Sequence, residues 1–129
     1  MSGKFLLDTN IIIALFAKDP AVHEHIANAE EVFVSSISMG ELYFGAHKSL
    51  KVQENIVRLD KFARSNTILP CNTDTARKYG DIKNRLKEKG QPIPENDIWM
   101  AAIAQQYALT LVTRDAHFNM VENLKIEVW

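Results

Sequence analysis

Four carboxylates stand beside strongly apolar segments of the chain: Asp8, Glu41, Asp97 and Asp115. Asp97 opens a segment that is almost continuously apolar through Ala104, which is typical of a buried helix. An unpaired charge held beside a protein core is costly, so each of these acids needs a compensating partner. The sequence therefore poses one question first, which is whether the four converge on a single site.

Four converging carboxylates would repel one another, and their pKa values would rise unless a cation neutralised them. Mg²⁺ and Mn²⁺ are hard ions that prefer such oxygen ligands. One or two of these ions can activate water and absorb the negative charge of a phosphodiester during in-line displacement. The chain has a single cysteine, Cys71, and no His-x-x-x-His pair, so tetrahedral zinc is poorly supported. The four acids thus predict a Mg²⁺ or Mn²⁺ site for phosphodiester hydrolysis.

Each acid also has a purely structural interpretation. Asp8 could only cap a helix, and Ser38 with Glu41 matches a capping box. Asp97 could cap its own helix with Asn96 as a rival cap, and Asp115 could sit in a turn. We favour a shared site because four unrelated caps would otherwise fall at one edge of one sheet.

The order of predicted elements indicates a three-layer α/β/α domain with a mainly parallel central sheet. Apolar runs predict strands at residues 4–8, 31–35, 67–69, 109–113 and 124–128. Periodicity and capping signals predict helices at residues 11–17, 20–29, from Ser36 or Ser38 to 46, 52–63, from Thr73 or Asp74 to 90, and from Asn96 or Asp97 onward.

This topology brings the four acids towards one edge of the sheet. Ligands of parallel sheets bind beyond the carboxyl ends of the strands. Asp8 ends the first predicted strand, and Asp115 follows the fourth in a predicted turn. Glu41 lies in the helix after the second strand, and Asp97 begins the helix that leads into the fourth. The convergence is an inference from topology.

Length and composition limit the number of domains and the classes of protein to which the chain can belong. The chain has 129 residues, 47% of them hydrophobic and 24% charged, which predicts one domain over residues 1–129. No signal peptide or membrane-length apolar run is apparent, and the lone cysteine fits a cytoplasmic location. Residues 47–90 hold eleven Lys or Arg against five Asp or Glu, whereas the rest of the chain is acidic. This asymmetry fits a polyanion held on one surface and cut at another, or simply a solvated helix face.

Four short motifs carry a family resemblance: Leu7-Asp8-Thr9-Asn10, Ser38-Met39-Gly40-Glu41-Leu42, the segment from Pro94 to Ala102, and the segment from Val112 to Phe118. In this order they resemble the motifs of PIN-domain ribonucleases, and most closely those of the VapC toxins. The resemblance implies endonucleolytic cleavage of RNA that depends on Mg²⁺ or Mn²⁺. It also implies a homodimer and inhibition by a cognate VapB antitoxin whose tail blocks the acidic site.

The same resemblance assigns roles to individual residues. It makes Asp8, Glu41, Asp97 and Asp115 the metal ligands and Thr113 a catalytic residue that orients Asp115 or a water. Asn10 and Asn96 would support the ligands by hydrogen bonds. His117 and Asn119 stand where some relatives carry a fifth acid. The candidates for contacts with RNA phosphates are Lys48, Lys51, Arg77, Lys78, Lys83, Arg85 and Arg114.

Three rival interpretations remain. A phosphotransfer domain of the haloacid-dehalogenase kind needs a second Asp where Asn10 stands, and a response-regulator receiver needs an acidic pair where only Asp8 is found. A PIN fold could bind RNA or a protein partner without cutting. A structure-specific DNA nuclease on the same fold would usually carry longer insertions and extra acids.

Overall fold

The computed structural model describes residues 3–129. Its elements follow one another as β1 (Lys4–Leu7), α1 (Thr9–Phe16), α2 (Pro20–Asn28), β2 (Glu31–Ser35), α3 (Ser36–His47), α4 (Val52–Arg64), β3 (Thr67–Leu69), α5 (Thr73–Glu88), α6 (Glu95–Gln106), β4 (Thr110–Val112), a 3₁₀ helix (Ala116–Met120) and β5 (Ile126–Glu127). Within these residues no helix is both long and apolar enough to cross a bilayer.

The five strands form one sheet in the order β3-β2-β1-β4-β5, and every neighbouring pair is parallel. In the centre, Leu7 lies beside Val34 on one side and Val112 on the other. The carboxyl ends of β1, β2 and β4 therefore lie level with one another. This arrangement confirms the predicted α/β/α architecture with a parallel central sheet.

Each face of the sheet is covered by its own hydrophobic core. Successive residues of a strand point to opposite faces. Leu6 accordingly belongs to the core that includes residues of α5 and α6, whereas Leu7 belongs to the core that includes residues of α1 to α4. Because both faces are covered, the central strands are apolar without alternation, as buried parallel strands are. Helix α6 supplies five consecutive buried residues from Met100 to Ala104, as its composition predicts.

Two predicted helix starts are confirmed by their caps. The Asp8 side chain accepts a hydrogen bond from the backbone N–H of Thr9 at the start of α1. The Asp19 side chain accepts from the N–H groups of Ala21 and Val22, and Pro20 is the first residue of α2. Both caps satisfy backbone donors that lack partners within the helix.

Other sequence-based boundaries were wrong. Helix α3 is capped by Ser35, whose hydroxyl accepts from the Ser38 N–H, and not by Ser36 or Ser38. Helix α6 starts at Glu95, after Pro94 and without a side-chain cap, and not at Asn96 or Asp97. Ser35 is as good a cap as the two serines that follow it, so capping preference alone does not distinguish among them. Helix α6 begins without a side-chain cap, so the polar residues Asn96 and Asp97 do not mark its start.

The last part of the chain also differs from its prediction. Strand β4 covers Thr110–Val112 and β5 covers only Ile126–Glu127, so both are shorter than expected. After Asp115 the chain forms a 3₁₀ helix instead of a simple turn, because the Asp115 carboxylate caps the N–H of His117. Phe118 of this 3₁₀ helix is fully buried, so its packing anchors the segment that follows the site.

Candidate active site

The site begins where the two central strands end. Asp8 follows β1 and Thr113 follows β4, and their neighbours Leu7 and Val112 are paired in the sheet. The Thr113 hydroxyl donates to Asp8 Oδ2 at 2.8 Å. Asp8 is only 7% exposed and Thr113 only 1% exposed. The parallel register therefore places a buried carboxylate and its hydroxyl donor side by side.

Thr113 also connects Asp8 to Asp115. Its oxygen accepts a hydrogen bond from the Asp115 backbone N–H at 3.0 Å while its proton is directed to Asp8. The Asp115 Oδ1 in turn accepts from the N–H of His117 at 2.9 Å. One buried threonine thus fixes two of the four acids relative to each other.

Glu41 is held by residues from two other helices. Its Oε1 accepts from the Thr9 hydroxyl at 2.5 Å, and its Oε2 accepts from Asn96 Nδ2 at 3.2 Å. The Thr9 oxygen also lies 2.9 Å from the hydroxyl of the buried Ser38. Glu41 therefore makes no capping box with Ser38. Its carboxylate points across to α1 and α6, where the other acids are.

Asp97 is the third residue of α6 and reaches Asp115. One oxygen of each carboxylate and a ring nitrogen of His117 all lie within 4.8 Å of one another. His117 Nδ1 is 3.0 Å from Asp115 Oδ1 and 4.0 Å from Asp97 Oδ2. Asp8 lies outside this group of three but is joined to Asp115 through Thr113. Glu41 also lies outside it and bonds to Asn96, the residue before Asp97.

The electrostatics of the site follow from this crowding. Burial, and after it the negative charges of Asp115, Asp8 and Glu41, raise the pKa of Asp97 to about 6, although His117 opposes the rise. Burial also raises the pKa of Asp8, and the hydrogen bond from Thr113 counteracts that effect. Among residues 3–129 the negative charge of the acidic cluster, meaning Asp8, Glu41, Asp97 and Asp115, therefore outweighs the positive charge beside it.

The donor set fits a divalent cation. Its four side chains offer carboxylate oxygens, the ligands that Mg²⁺ and Mn²⁺ prefer, and a cation would relieve the repulsion that raises the pKa of Asp97. The lone cysteine, Cys71, is exposed. The four acids could hold such an ion directly or through water, and His117 offers a nitrogen beside Asp97 and Asp115.

Two predicted supporting residues differ in what they contact. Asn96 donates to Glu41, as a supporting residue would. Asn10 makes no such bond to the acids among the described residues, and its Oδ1 is buried without a hydrogen-bond partner there. Asn119 is exposed in the 3₁₀ helix, whereas His117 occupies the place beside the acids.

The predicted phosphate-contacting residues are in varied surroundings. Lys48 lies over the Phe44 ring at 4.5 Å, and Lys51 is 3.9 Å from Glu54. Arg77 and Lys78 are exposed on α5. The other three candidates make ion pairs with nearby acids: Lys83 with Glu95, Arg85 with Asp81 and Glu122, and Arg114 with Asp19.

Sequence reasoning missed the contribution of Thr9. From the sequence Thr9 is only one residue of the motif Leu7-Asp8-Thr9-Asn10, yet its hydroxyl contacts Glu41 and Ser38, and its backbone N–H contacts Asp8. The available signal was its position directly after an acid that ends a buried strand. A helix that starts there keeps its first side chains at the same edge of the sheet.

The sequence of the chain is similar to those of known nucleases. The PIN domain family profile matches residues 5–124. The chain is 38% identical over 129 residues to Ribonuclease VapC2 of Haemophilus influenzae, with 98% of both chains covered. It is 33% identical over 132 residues to the tRNA(fMet)-specific endonuclease VapC of Salmonella typhimurium, again with 98% of both covered.

A solved structure shares the whole fold. It is the crystal structure of VapBC2 from Rickettsia felis bound to a DNA fragment from its promoter. The matched chain has a TM-score of 0.88 and 30% sequence identity, and 98% of each chain is covered. Family match, relatives and structural neighbour point the same way, and the chain belongs to the PIN domain family and, within it, to the VapC ribonucleases.

Proposed function

We propose that this protein is a metal-dependent endoribonuclease, the toxin of a toxin–antitoxin pair, which hydrolyses RNA phosphodiester bonds at the acidic cluster. The observation that supports this most is the set of hydrogen bonds by which Thr113 links Asp8 to Asp115 and Thr9 links Asp8 to Glu41. Asp97 lies next to Asp115 and His117. The names of the two VapC relatives support an RNA substrate. We further propose that residues 1–129 form one domain and that it acts on RNA in the cytoplasm.

In this proposal Asp8, Glu41, Asp97 and Asp115 would hold Mg²⁺ or Mn²⁺. When bound, the ion would supply positive charge for the scissile phosphate and acidify water. Thr113 keeps Asp8 and Asp115 at a fixed separation by bonding to both. Thr9 and Asn96 each donate a hydrogen bond to one oxygen of Glu41, so its carboxylate cannot rotate freely. These contacts prepare the ligands before substrate arrives, which avoids a reorganisation cost during the reaction.

The substrate would be held by charge. Lys48, Lys51, Arg77 and Lys78 are exposed and could contact phosphates. Such contacts position RNA but do not read its sequence. Because one relative is a tRNA(fMet)-specific endonuclease, we propose transfer RNA as the first substrate class to test.

The proposed antitoxin has a candidate docking place beside the acids. A mostly apolar cleft of about 250 Å³ lies between α1, α3 and α4, and its lining includes Ile13, Phe16 and Glu41. Ile13 is 55% exposed, although it is aliphatic. We propose that an apolar segment of a VapB-type antitoxin occupies this cleft and that its end covers the acidic cluster. The likeness to VapBC2 supports this partner, and the family resemblance supports a homodimer of the toxin.

Replacing Ile13 with Asp is expected to weaken antitoxin binding at least tenfold, because a charge in an apolar contact loses burial and must be desolvated. RNA cleavage by the free variant should remain, since the apolar side chain of Ile13 makes no hydrogen bond to any of the acids. Val57→Asp is the matched control, because Val57 is 63% exposed and does not line the cleft. Calorimetry with the antitoxin would measure the binding affinity of the two variants. Equal loss in both variants, or no loss in Ile13→Asp, would contradict this docking place.

The proposed activity is tested with purified, antitoxin-free protein and total RNA. We expect discrete RNA fragments with Mg²⁺ or Mn²⁺ and none after EDTA is added, because the acidic cluster would lose its cation. Sequencing the fragment ends would identify the RNA. If RNA is bound but never cut, the protein is a PIN-fold binding module. A covalent phosphoenzyme would instead indicate a phosphotransfer domain.

A further inference from the structure

Arg114 lies between two residues of the site but directs its side chain elsewhere. It separates Thr113 from Asp115 in the chain. Its Nη2 is 3.0 Å from Asp19 Oδ2, and its Nε donates to the main-chain oxygen of Trp129 at 2.8 Å. Neither partner belongs to the acidic cluster. The guanidinium therefore joins the site segment, residues 113–115, to two distant parts of the fold.

Asp19 is itself a fixed partner. Its Oδ1 accepts from the N–H groups of Ala21 and Val22 and so caps α2, which leaves Oδ2 for Arg114. The Arg114 hydrogen bond is the main reason that the pKa of Asp19 is lowered. Asp19 therefore stays ionised and oriented by its own helix, and it holds the guanidinium at a defined place.

Trp129 is the second fixed partner. It is only 7% exposed. Its ring packs edge-on against Phe5 at 5.1 Å and stacks on His25 at 4.9 Å. Its Nε1 donates to Glu127 at 2.8 Å. Because these three contacts hold the indole, the residue whose main-chain oxygen receives the Arg114 bond is well anchored.

We propose that Arg114 is a positioning residue whose clamp on Asp19 and Trp129 fixes the site segment, and that it does not contact RNA phosphates. The Thr113 hydroxyl must meet Asp8 and the Asp115 N–H at the same time. A shift of the backbone at Arg114 would disturb both bonds, because the two residues flank it. This inference rests on the proposed ribonuclease function and revises the phosphate-contacting role predicted for Arg114.

The test compares Arg114→Gln, Asp19→Asn and the double variant. Asn can still cap α2, so Asp19→Asn removes chiefly the ion pair. We expect each single variant to lower kcat about tenfold or more with KM changed less than about twofold, as loss of a residue that orients metal ligands does. The double variant should be no worse than Arg114→Gln. Mn²⁺ affinity of the RNA-free protein, measured by electron paramagnetic resonance, should fall in all three.

Arg64→Gln serves as the matched control, because Arg64 is exposed on α4. This substitution removes the same charge as Arg114→Gln. Arg114→Lys should recover part of kcat, since it keeps a cation beside Asp19. A higher KM in Arg114→Gln, with unchanged kcat and Mn²⁺ affinity and with Asp19→Asn like wild type, would overturn the proposal and indicate a phosphate contact.

The two proposals can fail separately. If wild-type protein cuts no RNA in Mn²⁺, the ribonuclease function fails, and Mn²⁺ affinity still tests the clamp. Wild-type Mn²⁺ affinity in both single variants would overturn the positioning role. Weaker affinity in both, with unfolding temperatures within the range of Arg64→Gln, would support it.

Discussion

Replacing Asp97 with Asn is expected to abolish RNA cleavage and at the same time to stabilise the metal-free protein. The isosteric amide removes one negative ligand from the acidic cluster. A catalytic cation contributes several kcal/mol to transition-state stabilisation, and about 1.4 kcal/mol corresponds to tenfold in rate. We therefore expect a loss of roughly a thousandfold, measured as initial cleavage rate in Mn²⁺.

The stability gain follows from the sign of the pKa shift. The pKa of Asp97 is raised from 3.8 to about 6, first by burial and then by the other acids. A raised pKa means that folding disfavours the ionised form, so the carboxylate costs stability at pH 7 and less as the pH falls through 6. Asn removes that cost but also a favourable charge in the first turn of α6. We expect a net gain of about 1 kcal/mol, or about 3 °C to 5 °C in Tm.

Asp74→Asn is the matched control, because Asp74 is an exposed acid in the first turn of α5. It should cut RNA normally, and it should not gain stability. If Asp97→Asn cuts as fast as wild type, the acid is no metal ligand. If it loses stability by more than Asp74→Asn does, Asp97 contributes mainly as a helix-terminal charge.

Replacing Thr113 with Val is expected to damage both stability and activity. Val has the same shape but lacks the hydroxyl that donates to Asp8 and accepts from the Asp115 N–H. Leaving buried polar groups without partners costs about 1 to 3 kcal/mol, so chemical denaturation should show a loss of that size. Cleavage should fall about tenfold to a hundredfold, because both acids lose the group that orients them.

Thr113→Ser is the control for this substitution, since it keeps the hydroxyl and removes one methyl group. It should retain most of the cleavage activity with a modest loss of stability. A Thr113→Val variant that cuts RNA as fast as wild type, or no more slowly than Thr113→Ser, would mean that the hydroxyl does not orient the acids.

The sequence alone predicts the fold and the edge of the sheet at which the acids meet. Runs such as Leu6 and Leu7 predict buried parallel strands, and parallel strands place the residues that follow them together. Asp8 and Thr113 are neighbours for this reason alone, because Leu7 pairs with Val112. These inferences succeed because they depend on local periodicity and on topology rules.

Side-chain partners could not be predicted in the same way. Glu41 and Ser38 have the spacing of a capping box, yet Glu41 bonds to Thr9 and Asn96 instead. Arg114 contacts Asp19, 95 residues earlier in the chain, and no spacing along the sequence indicates this partner. Spacing along one helix is insufficient for such contacts, because they depend on how separate helices pack and on which rotamers that packing allows.

The most direct test of the central claim is a Mn²⁺ titration of the antitoxin-free protein, followed by electron paramagnetic resonance. Wild type should bind Mn²⁺, and Asp97→Asn should bind it at least about tenfold more weakly while Asp74→Asn binds like wild type. That result would establish the acidic cluster as a metal site. Equal Mn²⁺ binding by wild type and Asp97→Asn, or no binding by wild type, would contradict it.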